Sequence, residues 1–133
     1  MGKTQKPFDM ALLFAALADP TRLRVLNLMR GREVCVCYFV EILGEGQPKI
    51  SRHLAYLRRA GLVSARRDGK WMHYRLARPA DRAAISILDA VFASLDEDKQ
   101  MRADLARLER ACCWPEKFSG LDGAPVPCCT QVE

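Results

Sequence analysis

The chain has 133 residues, half of them hydrophobic, with 21 Lys or Arg against 16 Asp or Glu and a net charge of +5. No apolar run reaches the roughly 18 residues of a membrane span. Met1-Gly2-Lys3-Thr4-Gln5-Lys6 has neither an apolar signal core nor the Ser or Thr that a myristoylation motif requires, so a cytoplasmic protein with no membrane partner is expected. No phosphate loop, dinucleotide fingerprint or Cys-x-x-Cys pair frames a catalytic pocket, and the chain is not read as an enzyme.

Pro7 to Ala18 reads as a first helix with Met10, Leu13, Phe14 and Leu17 on one face. Asp19 is the expected N-cap and Pro20 the first-turn residue of a second helix, which stops before Gly31 and carries core-like Leu23, Leu26 and Met29. Glu33 to Leu43 reads as a short amphipathic helix, and Gly44-Glu45-Gly46 as a flexible turn. Gln47-Pro48 opens the next helix and Gly61 closes it, with Ile50, Leu54 and Leu57 forming the buried stripe. Leu62 to Arg67 is an expected strand, Asp68-Gly69 a two-residue hairpin turn, and Lys70 to Leu76 the returning strand. After Pro79 a last helical region carries Ile85, Leu88, Phe92 and Leu95, then Met101, Leu105 and Leu108. The chain divides into a winged-helix and dimerisation domain, 1–113, and an irregular Cys-containing tail, 114–133.

These elements give a fold that is mainly α with a small β-hairpin: a winged helix-turn-helix, expected to be dimeric. Between Gln47 and Arg75 eight basic residues face only Asp68, a net +7, so the remainder of the chain is slightly acidic. A basic helix followed by a basic-tipped hairpin suits the nucleic-acid backbone, with the helix in the major groove. The side chains expected to reach double-stranded DNA are Gln47, Lys49, Ser51, Arg52, His53 and Tyr56. Arg52 suits guanine and Gln47 adenine, whereas Arg67 and Lys70 on the hairpin suit phosphate or the minor groove. Apolar stripes on the first and last helices suit a two-fold homodimer reading a palindromic operator, the Ile85, Leu88, Phe92 and Leu95 row lying in or beside the interface.

Six cysteines occur as Cys35-Val36-Cys37, Cys112-Cys113 and Cys128-Cys129. Without a secretory signal they are expected to be reduced thiols. Cys-x-Cys is tighter than zinc-finger spacing, and His53 and His73 lie in the reading helix and hairpin, so a structural zinc site is not expected. Close thiolates favour soft ions: Cu(I), trivalent arsenic or antimony. Residues i and i+2 of a helix lie about 200° apart, so Cys35 and Cys37 are expected to share an ion only if the helix start unwinds. A thiol redox switch on the same fold is the alternative reading.

The run Glu33 to Cys37, the run Gln47 to Val63, the run Arg67 to Leu76, and Leu17-Ala18-Asp19-Pro20-Thr21-Arg22-Leu23-Arg24 together resemble the ArsR/SmtB family of metal-responsive repressors, over about residues 8–110. The resemblance implies a homodimeric repressor that leaves its operator when an inducer binds, and the Cys-Val-Cys pair resembles the branch that senses As(III) or Sb(III). That branch often has a third Cys three residues further on, where this chain has Val40. Cys112 or Cys113 is a candidate third ligand, from the same or the other subunit, with water or a small thiol as alternatives. Cys112-Cys113 is also a candidate site in its own right. The zinc-sensing branch uses His and carboxylates on its last helix, and residues 83–110 contain no His.

Overall fold

The computed structural model describes residues 8–129, so the readings of Met1–Lys6 and of the last four tail residues lie outside the described part. The elements are α1 (Met10–Leu17), α2 (Pro20–Leu28), β1 (Arg32–Cys35), α3 (Val36–Leu43), α4 (Gln47–Arg59), β2 (Val63–Asp68), β3 (Trp71–Leu76), α5 (Arg82–Leu95) and α6 (Lys99–Cys113). Two 3-10 turns, Pro115–Lys117 and Ser119–Leu121, and a short β4 (Cys128–Cys129) follow. Asp9, Asp19, Asp81 and Asp98 cap α1, α2, α5 and α6, each side chain accepting a backbone N–H three residues on. Such caps contribute about 1 kcal/mol each.

The helix expected from Glu33 to Leu43 is two elements. Its first residues form β1, antiparallel to β3 with Val34 opposite Tyr74 and Cys35 opposite His73. The sheet order is β2-β3-β1-β4, so β1 joins the wing to the rest of the chain. The hairpin turn is also displaced by one residue. Asp68 pairs with Trp71, leaving Gly69-Lys70 as the loop. Only Gly69, at φ +62°, takes the left-handed conformation that such a turn needs at its first position. The last helical region is divided at Asp98, which caps α6.

Leu13, Leu26, Tyr38, Phe39, Ile50, Leu54, Leu57 and Leu108 are fully buried in one core. Asp104 lies inside this core and accepts from Arg24 Nε at 2.7 Å and Nη2 at 2.9 Å, and from Gln100 Nε2 at 2.9 Å. Removing one partner of a buried pair strands the other. Asp104→Ala is expected to cost about 2–3 kcal/mol, discounted because the Arg24 side chain is 23% exposed, read as a lower urea midpoint with unchanged slope.

Phe14 is 53% exposed, because α1 buries Leu13 and Ala16. Leu88 and Leu95 are buried within the subunit, while half-buried Ile85 and Phe92 line an open cleft with Leu26, Met29 and Leu62. Ala83, Ala90 and Val91 lie exposed or half-buried on α5 at helical spacing, beside Ile87, which packs in part against the core. The tail through residue 129 is more ordered than its Gly and Pro content implied: Leu121 is 2% exposed, and Cys128 and Cys129 pair with Glu33 and Arg32 of β1.

Candidate nucleic-acid interface and thiol site

Burying Ile50, Leu54 and Leu57 turns Gln47, Lys49, Ser51, Arg52, Arg58 and Arg59 outward from α4. Among the described residues Arg52 and Gln47 have no side-chain partner, leaving their donors available for base edges. Lys49 Nζ reaches Glu45 at 3.1 Å. Arg67 and Lys70 sit at the hairpin tip, Arg67 donating to the Gly69 carbonyl at 3.3 Å and Lys70 lying over the Trp71 ring.

His53 and Tyr56 are half-buried against α2. Arg22 donates to the carbonyls of Ala16 at 2.8 Å and Ala15 at 2.9 Å, reaches His53 Nδ1 at 3.3 Å, and lies 4.2 Å from the Tyr56 ring centre. One guanidinium therefore joins the end of α1, the start of α2 and the reading helix. Burial, followed by the nearby cations Arg22, Lys49 and Arg52 and opposed by Asp19, holds the His53 imidazole below its ordinary pKa. His53 and Tyr56 thus position α4 as well as bordering its outer face. Arg22 was missed in the sequence because its partners lie on three separate elements.

Arg66 is bound to β1, its Nη2 and Nε donating to the Glu33 carboxylate at 2.7 and 3.1 Å. Arg66, more than offsetting burial, pulls Glu33 below its ordinary pKa of 4.5. This pairing stabilises the fold above that pH and the stabilisation is lost as pH falls through the lowered native value.

Cys35 ends β1 and is also the N-cap of α3, with extended backbone at φ −73° and ψ 146°, while Cys37 lies in the first turn. The strand-to-helix junction overturns the 200° argument: Cys37 Sγ donates to Cys35 Sγ at 3.1 Å without unwinding. Both are free thiols. Soft-ion bonds to sulfur near 2.3 Å bring two thiolates to roughly this separation. The Cys37 thiol, then backbone N–H groups of Cys37, Val36 and Met72, stabilise the Cys35 thiolate against the cost of burial and pull its pKa below the usual thiol range. Cys37 is pushed the other way, since it keeps the shared proton beside that thiolate.

Cys112 lies 3.8 Å from Arg32 Nη1, at the other end of β1. Burial raises its pKa against the pull of Arg32. Cys113 is exposed. Neither joins Cys35 and Cys37, and no group of three or more His, Cys, Asp or Glu among the described residues is arranged to hold a metal. His73 was not singled out for this site, yet it lies opposite Cys35 on one side and Arg66 on the other. Tyr38, its pKa pushed up to about 12 by burial and then by Cys112, Cys37 and Cys35, keeps a neutral hydroxyl that has no hydrogen-bond partner among the described residues.

Residues 19–65 match the model of the bacterial regulatory protein, arsR family. The arsenical resistance operon repressor of Escherichia coli K12 is 42% identical over 102 residues, spanning 76% of this chain and 86% of that protein. The chain belongs to the arsR family. A probable mercury resistance operon repressor of Streptomyces lividans is 45% identical over 73 residues, covering 55% and 58% of the two chains. The solved structure of HlyU from Vibrio cholerae superposes with a TM-score of 0.54 at 31% identity, covering 63% of this chain and 91% of that one. As an arsR-family member the protein is a DNA-binding transcriptional regulator and not an enzyme. No helix of the described residues is long and apolar enough to cross a membrane.

Proposed function

We propose that this arsR-family chain is a cytoplasmic, homodimeric repressor whose α4 and hairpin occupy operator DNA and which releases it when Cys35 and Cys37 take up As(III) or Sb(III). The observation that carries this reading is the 3.1 Å thiol pair at the start of α3, one sulfur of which ends a strand of the wing sheet. Cys35 and Cys37 supply two thiolates, and deprotonation of Cys37 frees the second. Water or a small thiol completes the trivalent ion in this reading, since within the subunit Cys112 and Cys113 form no cluster with the pair.

Two routes lead from the pair to DNA. Cys35 faces His73 across the ladder, so a shift at the thiol is transmitted along β3 to the tip bearing Arg67 and Lys70. Cys37 opens α3, whose other end passes through Gly44, at φ +71°, into α4. Moving the population from 99% to 1% operator-competent needs about 5.5 kcal/mol of differential binding, within reach of two sulfur bonds. Titrating arsenite, antimonite, Zn(II) and Hg(II) into the operator complex while following fluorescence anisotropy tests the choice of ion. Release at the lowest concentrations by arsenite or antimonite is expected; release by Zn(II) or Hg(II) alone would overturn the assignment.

The outer stripe of α5, with exposed Phe14 on α1, is the proposed dimer surface. Ala90→Glu, at an exposed position that does not pack against the subunit core, is expected to give folded monomers by sedimentation, with tight operator binding lost. A folded Ala90→Glu dimer would place the interface elsewhere.

A further inference from the structure

α3, α6 and the 3-10 turns border an open cleft of about 520 Å³, within the size range of small-molecule sites. Arg107, Arg110 and Trp114 fall at i, i+3 and i+7 along α6 and its cap, so they share one wall. Lys117, Phe118 and Ser119 form the opposite wall, and Glu41 of α3 closes one end. Three cations thus meet one carboxylate. That carboxylate is already engaged by Arg107 at 3.8 Å, whereas Arg110 and Lys117 have no ion-pair partner among the described residues. Trp114 is 51% exposed, an uncommon position for an indole with no partner surface. Arg107 lies 5.3 Å from the Phe118 ring centre and Lys117 lies 6.0 Å from that of Trp114, so cations and π faces alternate. The chain folds back here, with Leu121 buried and Gly120 set against the Glu41 carboxylate.

We propose that this cleft binds an aromatic oxyanion, its ring against Trp114 and Phe118 and its charged group on the Arg110 and Lys117 donors. A guanidinium fork matches a planar or tetrahedral oxyanion, and a neutral or cationic ligand would leave the excess positive charge uncompensated. The site is independent of the thiol reading, since no sulfur lines it. Its link to the rest of the molecule is Glu41: an anion that draws Arg107 away loosens the contact between α6 and α3.

Isothermal titration of the full-length protein with phenylarsonate, benzoate and acetate tests the proposal. Saturable one-to-one binding of an aromatic oxyanion is expected, with acetate weaker by about tenfold or more because it lacks the ring. The stronger of phenylarsonate and benzoate identifies the source as an arsonate or a carboxylic acid. Arg110→Ala and Trp114→Ala, both at exposed positions, are each expected to weaken binding by about tenfold, and Cys35→Ser to leave it unchanged. No saturable heat up to about 10 mM, equal binding of acetate and benzoate, or wild-type affinity in both cleft variants would overturn it.

Discussion

Cys35→Ser and Cys37→Ser are expected to bind operator with near wild-type affinity and to remain bound when arsenite is added. The serine hydroxyl keeps the small side chain at the junction of β1 and α3, so the packing of the wing sheet survives. It removes the soft ligand, and with one thiolate gone the pair can no longer grip an ion at two points. The loss should therefore be of inducibility, by about a hundredfold or more in the arsenite concentration needed for release, with little change in DNA affinity. Cys128→Ser and Cys129→Ser are expected to respond as wild type. Cys112→Ser and Cys113→Ser are also expected to retain induction, because within the subunit neither residue forms a cluster with the pair. Release of operator from the Cys35 and Cys37 variants at wild-type arsenite concentrations would move the sensing site to Cys112-Cys113.

On the DNA side, Arg52→Ala is expected to cost about 1–3 kcal/mol on operator and much less on random sequence, as loss of a base contact does. Arg52 stands on the exposed face of α4 with its donors unused, which distinguishes it from Arg22, Arg66 and Lys49. Arg67→Ala and Lys70→Ala at the hairpin tip are expected to weaken both DNAs alike and to reduce the salt slope by about one each. Titrations at several salt concentrations separate the cases. Equal losses on both DNAs for Arg52→Ala would reduce it to a phosphate contact.

The reading helix was legible because its signals are local. Ile50, Leu54 and Leu57 repeat at helical spacing, Pro48 and Gly61 mark the ends, and each is found in that role. The hairpin was legible to within one residue, the error arising because Asp68 can serve as a turn residue or pair with Trp71. β1 was not legible. It is four residues long and runs into α3 without a Gly or Pro between them, so only its pairing with Tyr74 and His73, about forty positions away, makes it a strand. That one missed strand changed the chemistry, because the thiols judged to lie on opposite sides of a helix are adjacent at a junction. The roles of His53 and Tyr56 were obscured for a similar reason, since Arg22 lies 31 residues before His53. Spacing put Phe14 on one apolar face with Leu13, and the subunit buries Leu13 and Ala16 while leaving Phe14 outside.

The central claim is that Cys35 and Cys37 together hold the inducer, and arsenic X-ray absorption on the arsenite-loaded protein tests it most directly. Two protein sulfur bonds are expected in the wild type, unchanged in the Cys112→Ser and Cys113→Ser variants and reduced in Cys35→Ser and in Cys37→Ser. A sulfur shell that persists in Cys35→Ser and collapses in Cys112→Ser would contradict the account.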